Sequence, residues 1–152
     1  MDRLVIAGAL VAVAGVVALL LDRRKPEPPT QPRRWQVPTQ LDRDDFDGRD
    51  KPWLVAVFTS TTCESCARVV PKVRVLASDD VAVAEVSWQD AKDVHERYAV
   101  DVVPLTVVAG PDGVVRASFV GEPSATDLWA AVAEARAPGS SPEPHLGELK
   151  PD

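Results

Sequence analysis

The stretch Thr59-Ser60-Thr61-Thr62-Cys63-Glu64-Ser65-Cys66, with Pro71 five residues beyond it, decides how this chain is read. It holds the only two cysteines among 152 residues, set as a Cys-x-x-Cys. Before it runs Trp53-Leu54-Val55-Ala56-Val57-Phe58, nearly continuous in apolar residues. Such a run suits a central strand buried on both faces. After it, Glu64 to Ala77 places Val69, Val70, Val73 and Leu76 at helical spacing. The hydroxyl residues Ser60, Thr61 and Thr62 offer N-caps for that helix. Cys63 is therefore expected in the first helical turn, where unpaired N–H groups and the helix dipole favour a thiolate. A cysteine whose pKa is lowered at a helix N-terminus is a nucleophile at neutral pH. Cys66, three residues on, falls on the same face and within disulfide reach.

A lone Cys-x-x-Cys also fits an inert disulfide, or half of a zinc site that needs two further ligands. The only histidines are His95 and His145. The order strand, Cys-x-x-Cys, helix is the redox context. Pro71 falls inside the predicted helix, where it removes a hydrogen bond and kinks the rod. Downstream lie Val103-Pro104, the turn Gly110-Pro111-Asp112-Gly113 between two apolar runs, and Gly121 before a last helical segment.

In these features, taken together and in order, residues 41–137 resemble the thioredoxin family, and most nearly the membrane-anchored thioredoxin-like proteins of high-GC bacteria. The resemblance implies a thioredoxin-like α/β fold, a central mixed sheet flanked by helices. It implies a thiol–disulfide oxidoreductase with disulfide-containing or dithiol proteins as substrates, recycled by a reductase or oxidant that the sequence does not identify. Cys63 is the expected attacking thiolate. Cys66 is the expected resolving thiol, leaving the 63–66 disulfide on the protein. Val103-Pro104 matches the family's cis-proline loop, with the Val103 backbone open to pair with a substrate strand. Thr62, Glu64 and Ser65 flank the cysteines and are expected to touch substrate. No cofactor and no metal is implied. The chain departs from the family in several places. Thr62 stands where many members have Trp, Glu64-Ser65 replaces Gly-Pro, Leu105 rather than Thr follows the proline, and Val57 replaces a buried Asp. Two other classes of function keep the same fold: a binding or scaffold module using the Pro104 groove without turnover, and a redox sensor.

Charge is unevenly spread. Residues 1–40 carry six Arg or Lys against Asp2, Asp22 and Glu27, whereas residues 41–137 carry ten against seventeen Asp or Glu. An acidic domain argues against nucleic acid, whose binding requires basic surface. Leu4 to Leu21 is eighteen residues without a charged or polar side chain, about 27 Å as a helix and close to the hydrocarbon thickness of a bilayer. It ends in three leucines rather than a small-residue cleavage site, so residues 1–21 read as an uncleaved transmembrane anchor. Arg23, Arg24, Lys25, Arg33 and Arg34 follow it against Arg3 alone before it, and the positive-inside rule then places the following domain in the cytoplasm. Tethered members of the family often face outward, which leaves an extracytoplasmic domain as the alternative. Residues 22–40, with five prolines, read as an extended linker. Residues 138–152 read as a disordered tail.

Within residues 41–137 the expected order is a turn capped by Asp42, strand Trp53–Thr59, helix Glu64–Ala77, strand Val81–Ser87, helix Gln89–Tyr98, the hairpin Pro104–Ala109 and Val114–Val120, and a helix from Ser124 to about Arg136. One residue breaks the pattern. Glu85 lies in Val81-Ala82-Val83-Ala84-Glu85-Val86, and a charge in so apolar a run is costly unless paired or functional. Aligned on the resemblance, Glu85 falls where many members carry Lys, beside the missing Asp. It is a candidate proton acceptor for Cys66. The plain alternative is a solvated rim residue, or one paired with Lys92 or Arg97.

Overall fold

The structure, a computed structural model, describes residues 35–140. Its organising element is strand β1 (Trp53–Thr59), in which every residue from Leu54 onward is buried. A strand buried on both faces needs neighbours on both edges and cover on both sides, and β1 has them. It pairs in parallel with β2 (Val81–Ser87) and antiparallel with β3 (Leu105–Ala109), which pairs antiparallel with β4 (Val115–Val120). The sheet order is β2-β1-β3-β4. This is the mixed sheet expected.

Successive residues of β1 serve opposite faces. Val55 and Val57 join Val69, Val73, Leu128 and Val132 under helices α1 (Glu64–Arg74) and α3 (Ala125–Arg136). Leu54, Ala56 and Phe58 join Leu41, Phe46, Leu105 and Val107 on the other face, on the side of helix α2 (Lys92–Arg97). Phe58 anchors that side. Its ring meets Phe46, Tyr98 and His95 edge-on, with centroids 6.4, 6.4 and 5.1 Å away. Tyr98 donates its hydroxyl to Asp45 and accepts from the Asp42 amide at 2.9 Å. Burial and the bond to Asp45 push its pKa up to about 12.

Several expected boundaries move. Helix α1 stops at Arg74 rather than Ala77, because the Val75 amide turns back to Val73 O. Helix α2 starts at Lys92 rather than Gln89: the Ala91 amide bonds to Ser87 O, so residues 88–91 close a turn before the helix begins. Asp42 caps a short 3-10 turn over Arg43–Asp45 and Ser124 caps α3, both where expected, and Asp127 completes the α3 cap by accepting from the Ser124 amide. Ordered contacts begin ahead of Leu41. Gln40 bridges to Val114, Val115 N donates to Thr39 O at 2.9 Å, and Leu41 N donates to Gly113 O at 2.8 Å. Gly113 is left-handed (φ +73°), and a Cβ there would overlap the Leu41 carbonyl. No helix among the described residues is long and apolar enough to cross a membrane. The expected anchor at residues 1–21, the linker as far as Arg34, and the tail from residue 141 lie outside the described residues.

Candidate active site

The chain leaves β1 at Thr59, runs through Ser60 to Thr62, and enters α1. Cys63 itself is the N-cap, with extended backbone (φ −95°, ψ 104°) and its sulfur accepting from Cys66 N at 3.1 Å. The expected hydroxyl caps are thus corrected. A cap must be extended and must present an acceptor to the N–H three residues on, and Cys63 meets both conditions with sulfur. The hydroxyls hold the approach loop instead. Ser60 O accepts from Cys63 N at 3.0 Å, and Ser60 Oγ lies 3.1 Å from Thr62 Oγ1. Gln89, at the exit of β2, pins this loop from outside, donating to Ser60 Oγ at 3.1 Å and accepting from Thr61 N at 3.0 Å. Nothing local in the sequence marked Gln89 for that task.

Cys63 and Cys66 are joined in a disulfide, with Cα atoms 5.3 Å apart. Cys63 is half-buried, whereas Cys66 is only 3% exposed. Ser65 Oγ lies 3.4 Å from the Cys63 sulfur. Glu64 does not turn toward the sulfurs; its side chain is 95% exposed and pairs with Arg68 at 3.5 Å, one helical turn on. A solvated carboxylate with a cation beside it weighs little on a neighbouring thiolate. Arg68 and Lys72 both reach Glu122 at 2.8 Å, tying α1 to the loop ahead of α3. Those bonds, from Lys72 first and Arg68 second, hold the Glu122 carboxyl below the usual carboxylate range.

The Val103–Pro104 peptide bond is cis. Leu105 pairs with Phe58, so Pro104 falls level with the end of β1, where the cysteine loop begins. Pro104 O accepts from Gly121 N at 2.9 Å, and Val103 is left half-exposed ahead of it.

Glu85 pairs in register with Val57 across the parallel strands, and so shares the face that α1 covers. Its partner is Arg74 of α1, at 2.9 Å, with Thr59 Oγ1 at 3.5 Å. The sequence-based partners are engaged elsewhere, Lys92 with Glu96 at 3.2 Å and Arg97 with Asp45. Nor is the carboxylate entombed in the apolar run, for its side chain is 37% exposed. It lines one cavity of about 210 Å³ with Thr59, Ser87, Cys63 and Cys66. The arrangement offers a half-buried cysteine, a buried cysteine, and a carboxylate on the wall of a cavity that both cysteines line.

The thioredoxin family model matches residues 39–134 of the chain. A mutant thioredoxin from Halobacterium salinarum is 24% identical to it, over 74% of this chain and 91% of that one, with a TM-score of 0.53. The germline-specific thioredoxin Deadhead of Drosophila melanogaster is 25% identical, over 58% of this chain and 85% of that one, with a TM-score of 0.51. No curated protein matches the chain.

Proposed function

The chain belongs to the thioredoxin family and is a thiol–disulfide oxidoreductase acting on dithiol or disulfide proteins; from that premise we propose that it works tethered to a membrane, with Cys63 as nucleophile and Cys66 as resolving thiol. One observation carries the division of labour: of two disulfide-bonded cysteines, one is half-buried and the other only 3% exposed. A substrate disulfide can approach only the former. The Cys63 thiolate attacks a substrate sulfur and releases one substrate thiol. Cys66 then attacks Cys63, releasing the second thiol and closing the 63–66 disulfide. The cis Val103–Pro104 loop lies level with the start of the cysteine loop and offers the Val103 backbone to a substrate strand. Thr62, Glu64 and Ser65 form the rest of the contact surface.

Glu85 takes the proton that Cys66 must lose before resolution. Support comes from the shared cavity and from Thr59, which links the end of β1 to the carboxylate. The membrane tether rests on the apolar segment Leu4–Leu21, and the cytoplasmic side rests on the basic flank after it. Two experiments test these readings. Turnover of a disulfide protein with a dithiol reductant must exceed that of Cys63→Ser, and equal rates would overturn the catalytic assignment. Topology reporters fused after Arg136 must be active in the cytoplasm, and an outside-active reporter would overturn the orientation.

A further inference from the structure

A second cavity, of about 490 Å³, opens on the other side of the cysteine loop. Ser60, Thr62, Trp88, His95, Asp101 and Val103 are among its walls. Thr62 and Val103 also belong to the surface assigned above to the substrate, so a bound strand runs along the mouth of this cavity. Resting on that assignment, we propose that the cavity is a specificity pocket for an arginine side chain within two residues of the substrate's reacting cysteine.

Acceptors without donors argue for a cation. Asp101 is exposed and has no ion-pair partner among the described residues. His95 is 1% exposed, and its Nε2 bonds to Val86 O at 2.9 Å. A carbonyl can only accept, so Nε2 carries a proton and is engaged by Val86. The Nδ1 of His95 is buried and has no hydrogen-bond partner among the described residues. Charge agrees. Residues 88–101 carry Asp90, Asp93, Glu96 and Asp101 against Lys92 and Arg97, and both cations are held in ion pairs. Trp88 supplies an exposed aromatic wall that already accepts the Lys92 ammonium 5.7 Å from its ring centroid. A guanidinium suits these walls better than an ammonium, because it presents five donors in a plane and stacks on aromatic rings.

The test uses the reduced full chain and symmetric disulfide dimers of a short cysteine peptide with Arg, Ala, Phe or Glu flanking the cysteine. Each turnover passes two electrons, converting one peptide disulfide into two peptide thiols while Cys63 and Cys66 close. Dithiothreitol reacting with the same peptides removes the intrinsic effect of each flanking residue. After that correction the Arg peptide should react about tenfold faster than the Glu peptide at low salt, and the gap should close in 1 M salt, where the screening length is about 3 Å. Asp101→Asn should shrink the gap and Asp101→Lys should reverse it. Equal rates for all four peptides, a Phe peptide faster than the Arg peptide, or a gap that survives Asp101→Lys would overturn the proposal and leave the oxidoreductase reading standing. No peptide reacting faster with wild type than with Cys63→Ser would overturn both.

Discussion

The role given to Glu85 can be tested by Glu85→Gln, which keeps the shape of the side chain and removes its ability to accept a proton. The structural cost should be small. The Arg74–Glu85 pair is solvent-accessible on both sides, and such pairs contribute roughly 0.2–1 kcal/mol, a few degrees in melting temperature for a domain of this size. The scale of the kinetic cost follows from the ordinary thiol pKa. An ordinary thiol has a pKa of about 8.5, so about 3% of it is thiolate at pH 7. For a thiol of that ordinary pKa, a base that delivers the thiolate on demand can speed resolution by about thirtyfold at pH 7, about fourfold at pH 8, and hardly at all at pH 9. The assay is stopped-flow absorbance with a symmetric aryl disulfide, which releases one coloured thiolate as Cys63 attacks and a second as Cys66 resolves. The first phase should match wild type. The second should slow in Glu85→Gln by a factor that falls toward one as pH rises. Arg74→Gln breaks the same ion pair and keeps the carboxylate, so its second phase should stay much nearer to wild type. A second phase in Glu85→Gln within twofold of wild type at pH 7, or a deficit equally large at pH 7 and pH 9, would refute the reasoning and leave Glu85 as a structural partner of Arg74.

Attack order is tested by trapping: with Cys66 nearly sealed and Cys63 half-exposed, Cys66→Ser should accumulate mixed disulfides on non-reducing gels and Cys63→Ser almost none, and equal trapping would reject the assignment. Tyr98 is the single tyrosine of the chain, so ultraviolet difference absorbance reads it directly, and its midpoint should lie at about 12 rather than at the ordinary 10.0. The raised pKa favours the protonated form in the fold, so the stability it contributes is fully present below pH 10.0 and is lost as pH rises toward about 12. A denaturant midpoint that stays level across that window would contradict the link. Phe58→Ala removes the ring that Phe46, His95 and Tyr98 pack against, and urea unfolding should show a loss of about 3–5 kcal/mol. A loss under about 1 kcal/mol would mean that this side of the sheet repacks freely.

Periodicity was enough for the elements that lean on one strong local signal. The apolar run Trp53–Phe58 suited a strand buried on both faces, and Gly110-Pro111-Asp112-Gly113 was a strong signal for a turn between two strands. Ser124 marked the start of the last helix as its cap. The dithiol and its place between strand and helix were legible for the same reason, as a short motif whose chemistry is local, whereas the cis-proline position came only through the family resemblance. Element ends were less legible, because they depend on which backbone group finds a partner first. Ser87 O captures the Ala91 amide and delays α2, and Cys63 takes the cap from three hydroxyl residues that looked better suited to it.

The rest was decided by residues far apart in the chain. The parallel register of β1 and β2 sets Glu85 opposite Val57 and under α1, where Arg74 takes its charge in place of the sequence neighbours that seemed natural partners. The turn after β2 carries Gln89 back across the sheet edge to the cysteine loop. The packing of α2 on β2 buries His95 and brings it to the same cavity as Asp101 and Thr62. No pattern along the chain encodes these meetings. Side-chain periodicity states which face a residue serves, but which residue waits on that face is set only when strands pair and helices close over them.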